Sequence, residues 1–241
     1  MCGRYASTKS SHDLAVEFDA VDLTVDEPLR PAYNVAPTDR VRIVRRSRSA
    51  DARVVEAVRW GLVPSWAKDL SVGARMINAR DDSLADKPAF RKAFEKRRCL
   101  VPADGWYEWA RRENAPGKQA FFVTPEDGSA LAFAGLWEVW GGKDDKVLSC
   151  AVVTTDAVGE LAAIHDRMPL VLSRSRWAAW LGEADADPET LLAPPPPSLL
   201  GGLEIRPVGA AVGNVANEGP ELVERVPLEA SAPVALDETL F

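Results

Sequence analysis

The sequence is poor in the residues that build cross-linked or metal-stabilised proteins. Its 241 residues include three cysteines and two histidines. Cys2, Cys99 and Cys150 are far apart and lack a Cys-x-x-Cys spacing, which argues against a disulfide framework and a zinc site, and for a reducing compartment. With only His12 and His165 available, a histidine-based metal cluster is not expected. The sequence therefore predicts a protein without bound metal.

Long hydrophobic runs and nucleotide-binding glycine motifs are also missing. The first ten residues lead into polar sequence rather than into an apolar signal segment. No run approaches the roughly 20 apolar residues that span a bilayer. Without a Walker-type phosphate loop or a Rossmann glycine signature, no nucleotide cofactor is expected. We therefore expect a cytoplasmic protein with no cofactor and no membrane partner.

Charge is unevenly distributed along the chain. The 36 acidic and 29 basic residues give a net charge of −7, which by itself disfavours a nucleic-acid partner. However, residues 40–59 hold seven arginines and two acids, and residues 91–98 hold five bases and one acid. From residue 183 onward there are eleven acids and two arginines. This asymmetry allows a basic face on an acidic protein, although a solvated face without a partner explains it equally well.

Hydrophobic patterns predict a chain made mostly of strands, with helices placed irregularly between them. Alternating or continuous apolar stretches bounded by turn residues predict strands at 41–46, 53–63, 99–109, 119–125, 131–140, 146–155, 168–172 and 204–209. Apolar residues at helical spacing predict helices at 87–98, 158–166 and 173–182. Residues 64–82 show no sustained period and are expected to form a long functional loop, and 193–198 a surface loop.

This order of elements favours an α+β fold. We expect a single domain over residues 1–226, built on a mainly antiparallel, barrel-like β-sheet with peripheral helices. The remaining residues, 227–241, are expected to form a poorly ordered tail.

Three polar side chains occur where a hydrophobic core does not require them. Glu108 lies inside an apolar strand, where burial would raise its pKa and suit it to acid–base catalysis, unless strand alternation turns it to solvent. His165 is followed by Asp166, which is typical of proton transfer but also of a capping or core histidine. Asn34 lies between turn-forming prolines, so an Asx turn is its alternative interpretation.

Cys2 carries the most specific chemistry. If Met1 is removed, Cys2 presents an α-amine with a pKa of about 7.7–8.0 beside a thiol with a pKa of about 8.5. The amine can attack an aldehyde, and the thiol can then close a five-membered thiazolidine, an intramolecular step with a high effective concentration. With arginines nearby to bind phosphate, the target would be a phosphate-linked aldehyde such as the ring-opened abasic sugar of DNA. The alternative is an ordinary buried thiol.

Eight stretches, taken together and in this order, resemble the SRAP (SOS response-associated peptidase) family of abasic-site processing proteins. They are MCGRYA, YNVAPT, RWGLVPSWAKD, INARDD, RRCLVPADGWYEW, LAFAGLWE, VVTTDA and IHDRMPLVL. The resemblance extends from Cys2 to about Glu224. It implies a single SRAP-like α+β domain that cross-links covalently to abasic sites in single-stranded DNA through the terminal cysteine and so shields them. It also implies autoproteolytic loss of the residue before the cysteine, with Glu108 involved, and an associated lyase-like activity.

The resemblance assigns roles to individual residues. Cys2 would be the nucleophile, Asn34 would orient the reacting sugar, Glu108 would supply a proton for ring opening, and His165 would assist the imine chemistry. It assigns phosphate contacts to Arg4, Arg80 and Arg167, supporting positions to Asn78 and Thr154, and a place beside the lesion to Pro37 and Trp66. One departure is Asp82 in INARDD, where the family usually has a glutamate.

The expected partner is single-stranded DNA that contains abasic sites, bound by a monomer that would associate with the nucleoid in a bacterium. Two other functions stay open at this point. One is a peptidase that attacks other proteins through its terminal cysteine. The other is a non-catalytic single-strand binding module, which would bind intact and damaged strands alike.

Overall fold

Strands dominate the fold, and short helices cover them. The computed structural model describes residues 2–26, 28–112, 116–142 and 145–228. The strands in these ranges are β1 Tyr5–Ser7, β2 Ala20–Asp22, β3 Ala32–Val35, β4 Arg40–Ser47, β5 Ala52–Trp60, β6 Asn78–Arg80, β7 Arg98–Ala103, β8 Gly105–Arg111, β9 Lys118–Pro125, β10 Leu131–Trp140, β11 Val147–Asp156, β12 Arg167–Pro169 and β13 Leu203–Val208.

Helices are short and lie between the strands. The α-helices are α1 Ser11–Glu17, α2 Arg91–Lys96, α3 Arg174–Leu181 and α4 Pro197–Leu200. Short 3₁₀ helices lie at Leu70–Arg75, Asp81–Ser83, Gly159–Ala163, Pro188–Leu192, Ala210–Gly213 and Pro220–Val223. Within the described ranges, none of the helices has the length and apolar character needed to traverse a lipid bilayer.

Five strands close into a barrel. β11 pairs with β10, β10 with β7, β7 with β4 and β4 with β5, all antiparallel. The ring closes where β5 returns to β11 through a short parallel pairing, Arg59 with Ser149 and Trp60 with Cys150. A second, antiparallel sheet has the order β13–β9–β8–β1–β3. Side chains inside a ring of this size are enclosed on every side, so the barrel provides a rigid frame.

Aromatic residues fill the space between the barrel and the second sheet. Tyr5 meets Trp60 edge to face, with ring centroids 5.1 Å apart, and Trp106 meets Phe133 in the same way at 5.9 Å. Cys2 belongs to this buried cluster. Its position next to β1 therefore fixes the start of the described chain within the core.

The α+β, barrel-like architecture predicted from the sequence is confirmed, with local differences. The strand expected at 99–109 is two strands, because the chain leaves the barrel at Asp104 and enters the second sheet. Asp104 accepts a hydrogen bond from the Thr8 amide at 2.6 Å and donates its own amide to Ala6. The next residue, Gly105, passes so close to β9 that a Cβ atom would lie 2.4 Å from the Val123 carbonyl oxygen.

Other boundaries were wrong where tertiary pairing overrides local pattern. The helix expected at 87–98 is limited to α2, because residues 87–90 form a turn and Arg98 joins β7 opposite Leu136 of β10. The expected loop 64–82 contains a 3₁₀ turn and β6, and the helix expected at 158–166 is a 3₁₀ turn. Of the expected tail 227–241, residues 229–241 lie outside the described residues.

Candidate active site around Cys2

Cys2 is buried and held by a side chain from the barrel. Its side chain is 0% exposed, and its backbone carbonyl accepts a hydrogen bond of 2.7 Å from the Asn78 amide nitrogen. Asn78 reaches this position because β6 pairs in parallel with β11, with Asn78 opposite Val152. The Asn78 side-chain oxygen is also buried and accepts no hydrogen bond from the residues described. Asn78 therefore offers an acceptor beside Cys2.

Burial keeps the Cys2 sulfur protonated. Desolvation raises the pKa of the thiol well above its ordinary value, and the negative charge of Glu108 raises it further. At neutral pH the group is a thiol rather than a thiolate. Its use as a nucleophile therefore requires a neighbouring proton acceptor.

Glu108 fits that requirement. It lies on β8, whose Trp106 pairs with Tyr5 of β1, and it is 3% exposed. Burial raises the pKa of Glu108 to about 7, and the charge of Asp166 contributes in the same direction. Strand alternation thus does not turn Glu108 to solvent. Near neutral pH it exists in both protonation states, as a group that gives and takes protons must.

His165 shares the electrostatic environment of Glu108. It follows the 3₁₀ turn Gly159–Ala163, and its Nδ1 accepts a hydrogen bond of 2.9 Å from the Arg167 amide. Burial lowers the pKa of His165, so the imidazole is neutral near pH 7. The Asp166 carboxylate, 2.8 Å from Nδ1, is 85% exposed and does not reverse this effect.

Asn34 has a different set of partners. It is 3% exposed, its side-chain oxygen accepts from Arg4 at 2.7 Å, and its amide nitrogen donates to the carbonyls of Asn217 at 2.9 Å and Asn214 at 3.0 Å. Arg4 donates to the Val212 carbonyl at 2.8 Å. Asn34 and Arg4 thus hold residues 212–217 against β3. The predicted contacts of Asn34 with the sugar and of Arg4 with phosphate stay predictions.

Arg167 is committed to protein partners. Its side chain is 6% exposed and bonds Asp156 at 2.5 Å and Asp81 at 2.7 Å. It also donates to the carbonyl of Thr154, which is itself 1% exposed on β11. Arg167 therefore ties β12 to β11 and to the turn after β6, and its predicted phosphate contact stays a prediction.

Arg80 and Trp66 are the accessible members of the predicted DNA-binding set. The Arg80 side chain is 53% exposed and pairs with Asp82 at 2.7 Å, so the residue that departs from the family pattern is the partner of Arg80. Trp66 is 63% exposed on a turn that is anchored by a hydrogen bond of 2.7 Å from the Trp140 indole to the Ala67 carbonyl. Pro37 is partly buried in the turn between β3 and β4.

Sequence reasoning missed several residues that build the site. Asp81 and Asp156 fix Arg167, and the carbonyls of 212–217 fix Asn34 and Arg4. Asp81 lies within the INARDD motif, which was a usable signal. The stretch 209–219, rich in glycine, alanine and asparagine, carries no recognisable chemistry because it contributes backbone carbonyls, which every residue has.

Comparisons with known proteins identify the family of the chain. Residues 1–215 match the family model described as SOS response associated peptidase (SRAP). The chain is 34% identical over 225 residues to abasic site processing protein YoqW of Bacillus subtilis, covering 93% of this chain and 99% of that protein. It is 31% identical to abasic site processing protein YedK of Escherichia coli over 231 residues, covering 94% and 100%.

The fold is also that of solved structures. The crystal structure of a Bacteroides thetaiotaomicron protein matches with a TM-score of 0.81 and 23% identity, covering 94% of this chain and 100% of that one. At this identity the match concerns the fold alone. Together with the family match over residues 1–215, these comparisons confirm the resemblance drawn from the motifs: the chain belongs to the SOS response associated peptidase (SRAP) family.

Proposed function

We propose that this protein recognises abasic sites in single-stranded DNA and captures them covalently through Cys2, shielding the lesion. The names of its relatives, abasic site processing proteins, support a role in the DNA-damage response. We also propose that it acts as a monomer.

The capture needs no oxidant and no cofactor. After Met1 is removed, the Cys2 α-amine adds to the aldehyde carbon of the ring-opened sugar, and loss of one water gives an imine. The thiol then adds across the C=N bond: sulfur bonds to carbon, and the thiol proton passes to nitrogen. The product is a thiazolidine, and the mass of the adduct equals protein plus oligonucleotide minus one water.

The buried groups divide the proton transfers between them. Protonated Glu108 supplies the proton that opens the sugar ring, and its carboxylate form accepts the proton of the Cys2 thiol. The Asn78 side-chain oxygen accepts a hydrogen bond from the attacking amine, and neutral His165 assists the loss of water. Ionised and protonated Glu108 coexist near pH 7, so both roles are available in one pH range.

Binding of the strand uses the exposed residues. Arg80 contacts phosphate, and Trp66 stacks on an unpaired base next to the lesion. Stacking on an exposed indole requires a base that is not already stacked in a duplex. Trp66 therefore favours single-stranded over double-stranded DNA.

We also propose that the protein removes its own Met1. Hydrolysis of the Met1–Cys2 peptide bond consumes one water and yields methionine and the free Cys2 amine, with Glu108 as the base. In a cell-free synthesis in which methionine aminopeptidase is inhibited, the wild type should lose Met1. Glu108→Gln should retain it and be heavier by one methionine residue. Retention of Met1 by the wild type under these conditions would exclude self-processing.

The observation that supports the capture most directly is the meeting of Asn78 and the charge of Glu108 at Cys2. Intact-mass measurement after incubation with an abasic oligonucleotide tests it. The wild type should gain the oligonucleotide mass minus one water, and Cys2→Ala should gain nothing. Cys150→Ala, which removes another buried thiol of the same cluster, should behave like the wild type. An adduct on Cys2→Ala would overturn the proposal.

A further inference from the structure

A positively charged groove lies on the barrel away from Cys2. It has a volume of about 400 Å³ and is formed by the end of β4, the end of α2, β10 and the end of α3. Its lining residues are Arg46, Arg48, Glu95, Lys96, Arg98, Trp137, Leu181 and Gly182. Four of these are basic and one is acidic, on a chain whose net charge is −7.

Two of the four cations have no competing partner. Arg48 and Lys96 are exposed and form no ion pair with any residue in the described ranges. Arg46 pairs with Asp51, a residue that is 90% exposed, so this contact is solvated and easily exchanged for another anion. The groove therefore presents basic groups that an incoming anion can neutralise.

Arg98 lies at the floor of the groove, and hydrogen bonds hold its guanidinium in place. It donates to the carbonyls of Phe94 at 2.8 Å, Glu95 at 3.0 Å and Trp180 at 2.5 Å, which satisfies the ends of α2 and α3. Its remaining nitrogen, Nη2, lies beside Gly182 at the end of α3. Because Arg98 is already held in place, its side chain loses little conformational entropy when an anion binds to it.

An aromatic ring stands beside these charges. Trp137 is partly buried in the groove wall, and the Arg45 guanidinium covers its ring at 4.7 Å from the centroid. Combined basic and aromatic side chains in an open groove are typical of surfaces that follow a nucleic-acid strand. A small anion would need a closed pocket instead, whereas these cations come from three separate elements.

Strand pairing separates this groove from the segment that holds Cys2. Arg98 of the groove lies opposite Leu136, and Leu136 lies opposite Ala151 of β11. The next residue of β11, Val152, lies opposite Asn78, which bonds Cys2. Three strand spacings of about 4.8 Å, or about 14 Å along the sheet, therefore separate the backbone of Arg98 from that of Asn78.

We propose that this groove binds the phosphate backbone of the DNA strand that flanks the captured lesion, as a second contact remote from Cys2. The inference rests on the proposed function, since it takes the DNA at Cys2 as given. The groove adds affinity for long strands and takes no part in the covalent reaction. Only DNA that extends past the lesion by several nucleotides on one side reaches it.

The test compares short and long abasic oligonucleotides. Arg48→Glu/Lys96→Glu reverses the two unpaired cations, and Arg30→Glu/Lys87→Glu makes the same charge change at two exposed positions outside the groove. With an oligonucleotide carrying one nucleotide on each side of the lesion, all three proteins should form the covalent product at similar rates. With twenty on each side, the groove variant should bind roughly tenfold more weakly than the control variant. Its salt dependence should be shallower by about 1.4 in log–log slope, the value for two lost single-strand contacts.

The outcomes separate the two proposals. If the short oligonucleotide gives no covalent product with the wild type, the proposed function fails, while binding of long DNA still reports on the groove. If the groove and control variants bind long DNA equally, the groove is not a DNA site, and an acidic protein partner becomes the interpretation. Melting temperatures of both variants should match the wild type, because the reversed side chains are exposed.

Discussion

The side-chain amide of Asn78 donates a hydrogen bond of 2.7 Å to the backbone carbonyl of Cys2, across 76 positions of the sequence. The bond joins the segment before β1 to a short strand of the barrel. It leaves the Asn78 oxygen buried beside Cys2 and without a partner among the described residues. Asn34, which the family resemblance assigns to orienting the reacting sugar, is bonded to Arg4 and to backbone carbonyls.

Asn78→Ala should therefore affect mainly the rate of adduct formation, and Asn34→Ala mainly the stability of the fold. Asn78→Ala should slow adduct formation at least tenfold at saturating DNA and lower the free energy of unfolding by only about 1 kcal/mol, the value of one hydrogen bond. Asn34→Ala should lower it by about 2–3 kcal/mol, because it leaves Arg4 and several carbonyls without partners. Chemical denaturation and single-turnover adduct kinetics measure the two effects. Slow adduct formation by Asn34→Ala, with an unchanged rate for Asn78→Ala, would assign the catalytic role to Asn34.

Glu108 should make stability depend on pH in an unusual direction. Burial raises its pKa to about 7 from an ordinary 4.5, so between these values the unfolded chain releases a proton that the folded chain keeps. The free energy of unfolding should therefore fall as pH rises from about 4.5 to 7, by on the order of 3 kcal/mol from this group. Glu108→Gln, which stays neutral, should flatten this part of the curve.

The reaction should report the same ionisation. Adduct formation by the wild type should slow above about pH 7 as Glu108 loses the proton used in ring opening, and Glu108→Gln should lack this inflection. Glu126→Gln, which neutralises an exposed carboxylate, serves as the control and should keep the wild-type profile. An unchanged profile in Glu108→Gln would assign the proton transfer to another group.

Substitution of Arg167 should lower mainly stability, and substitution of Arg80 should weaken mainly DNA binding. Arg167→Met removes a buried guanidinium that neutralises Asp81 and bonds the Thr154 carbonyl, so it should lower the free energy of unfolding by about 3 kcal/mol. Arg80→Ala should leave the melting temperature unchanged and reduce the salt dependence of single-strand binding by about 0.7 in log–log slope. Loss of DNA binding by a stable Arg167→Met protein would instead support the predicted direct contact of Arg167 with phosphate.

Trp66 should contribute to affinity and not to folding. Its indole is 63% exposed, and stacking with a base is worth about 1–3 kcal/mol, or roughly five- to 150-fold in affinity. Trp66→Ala should weaken binding of single-stranded DNA by this factor, whereas Trp66→Phe should retain most of it. Fluorescence anisotropy with intact single and double strands measures the preference. Equal loss on both would mean that Trp66 does not select unpaired bases.

Much of the fold was predictable because it follows from local pattern. Alternating apolar residues in β4, β5, β10 and β11, with turn residues between them, predicted the strands that build most of the ring. The burial of Glu108 was also favoured by its apolar neighbours. The switch of the chain at Asp104 was not predictable, because it depends on Thr8 and Ala6, which are close only after folding.

By itself, the sequence determined the family, the α+β class and the residue types at the site, because these are carried by motifs and by hydrophobic periodicity. Only the tertiary structure decided which asparagine meets Cys2, which arginines are consumed by neighbouring carboxylates and carbonyls, and where the basic residues collect. The residue type sets the chemistry of a side chain. Its availability depends on partners brought from distant positions by strand pairing, and no local pattern encodes them.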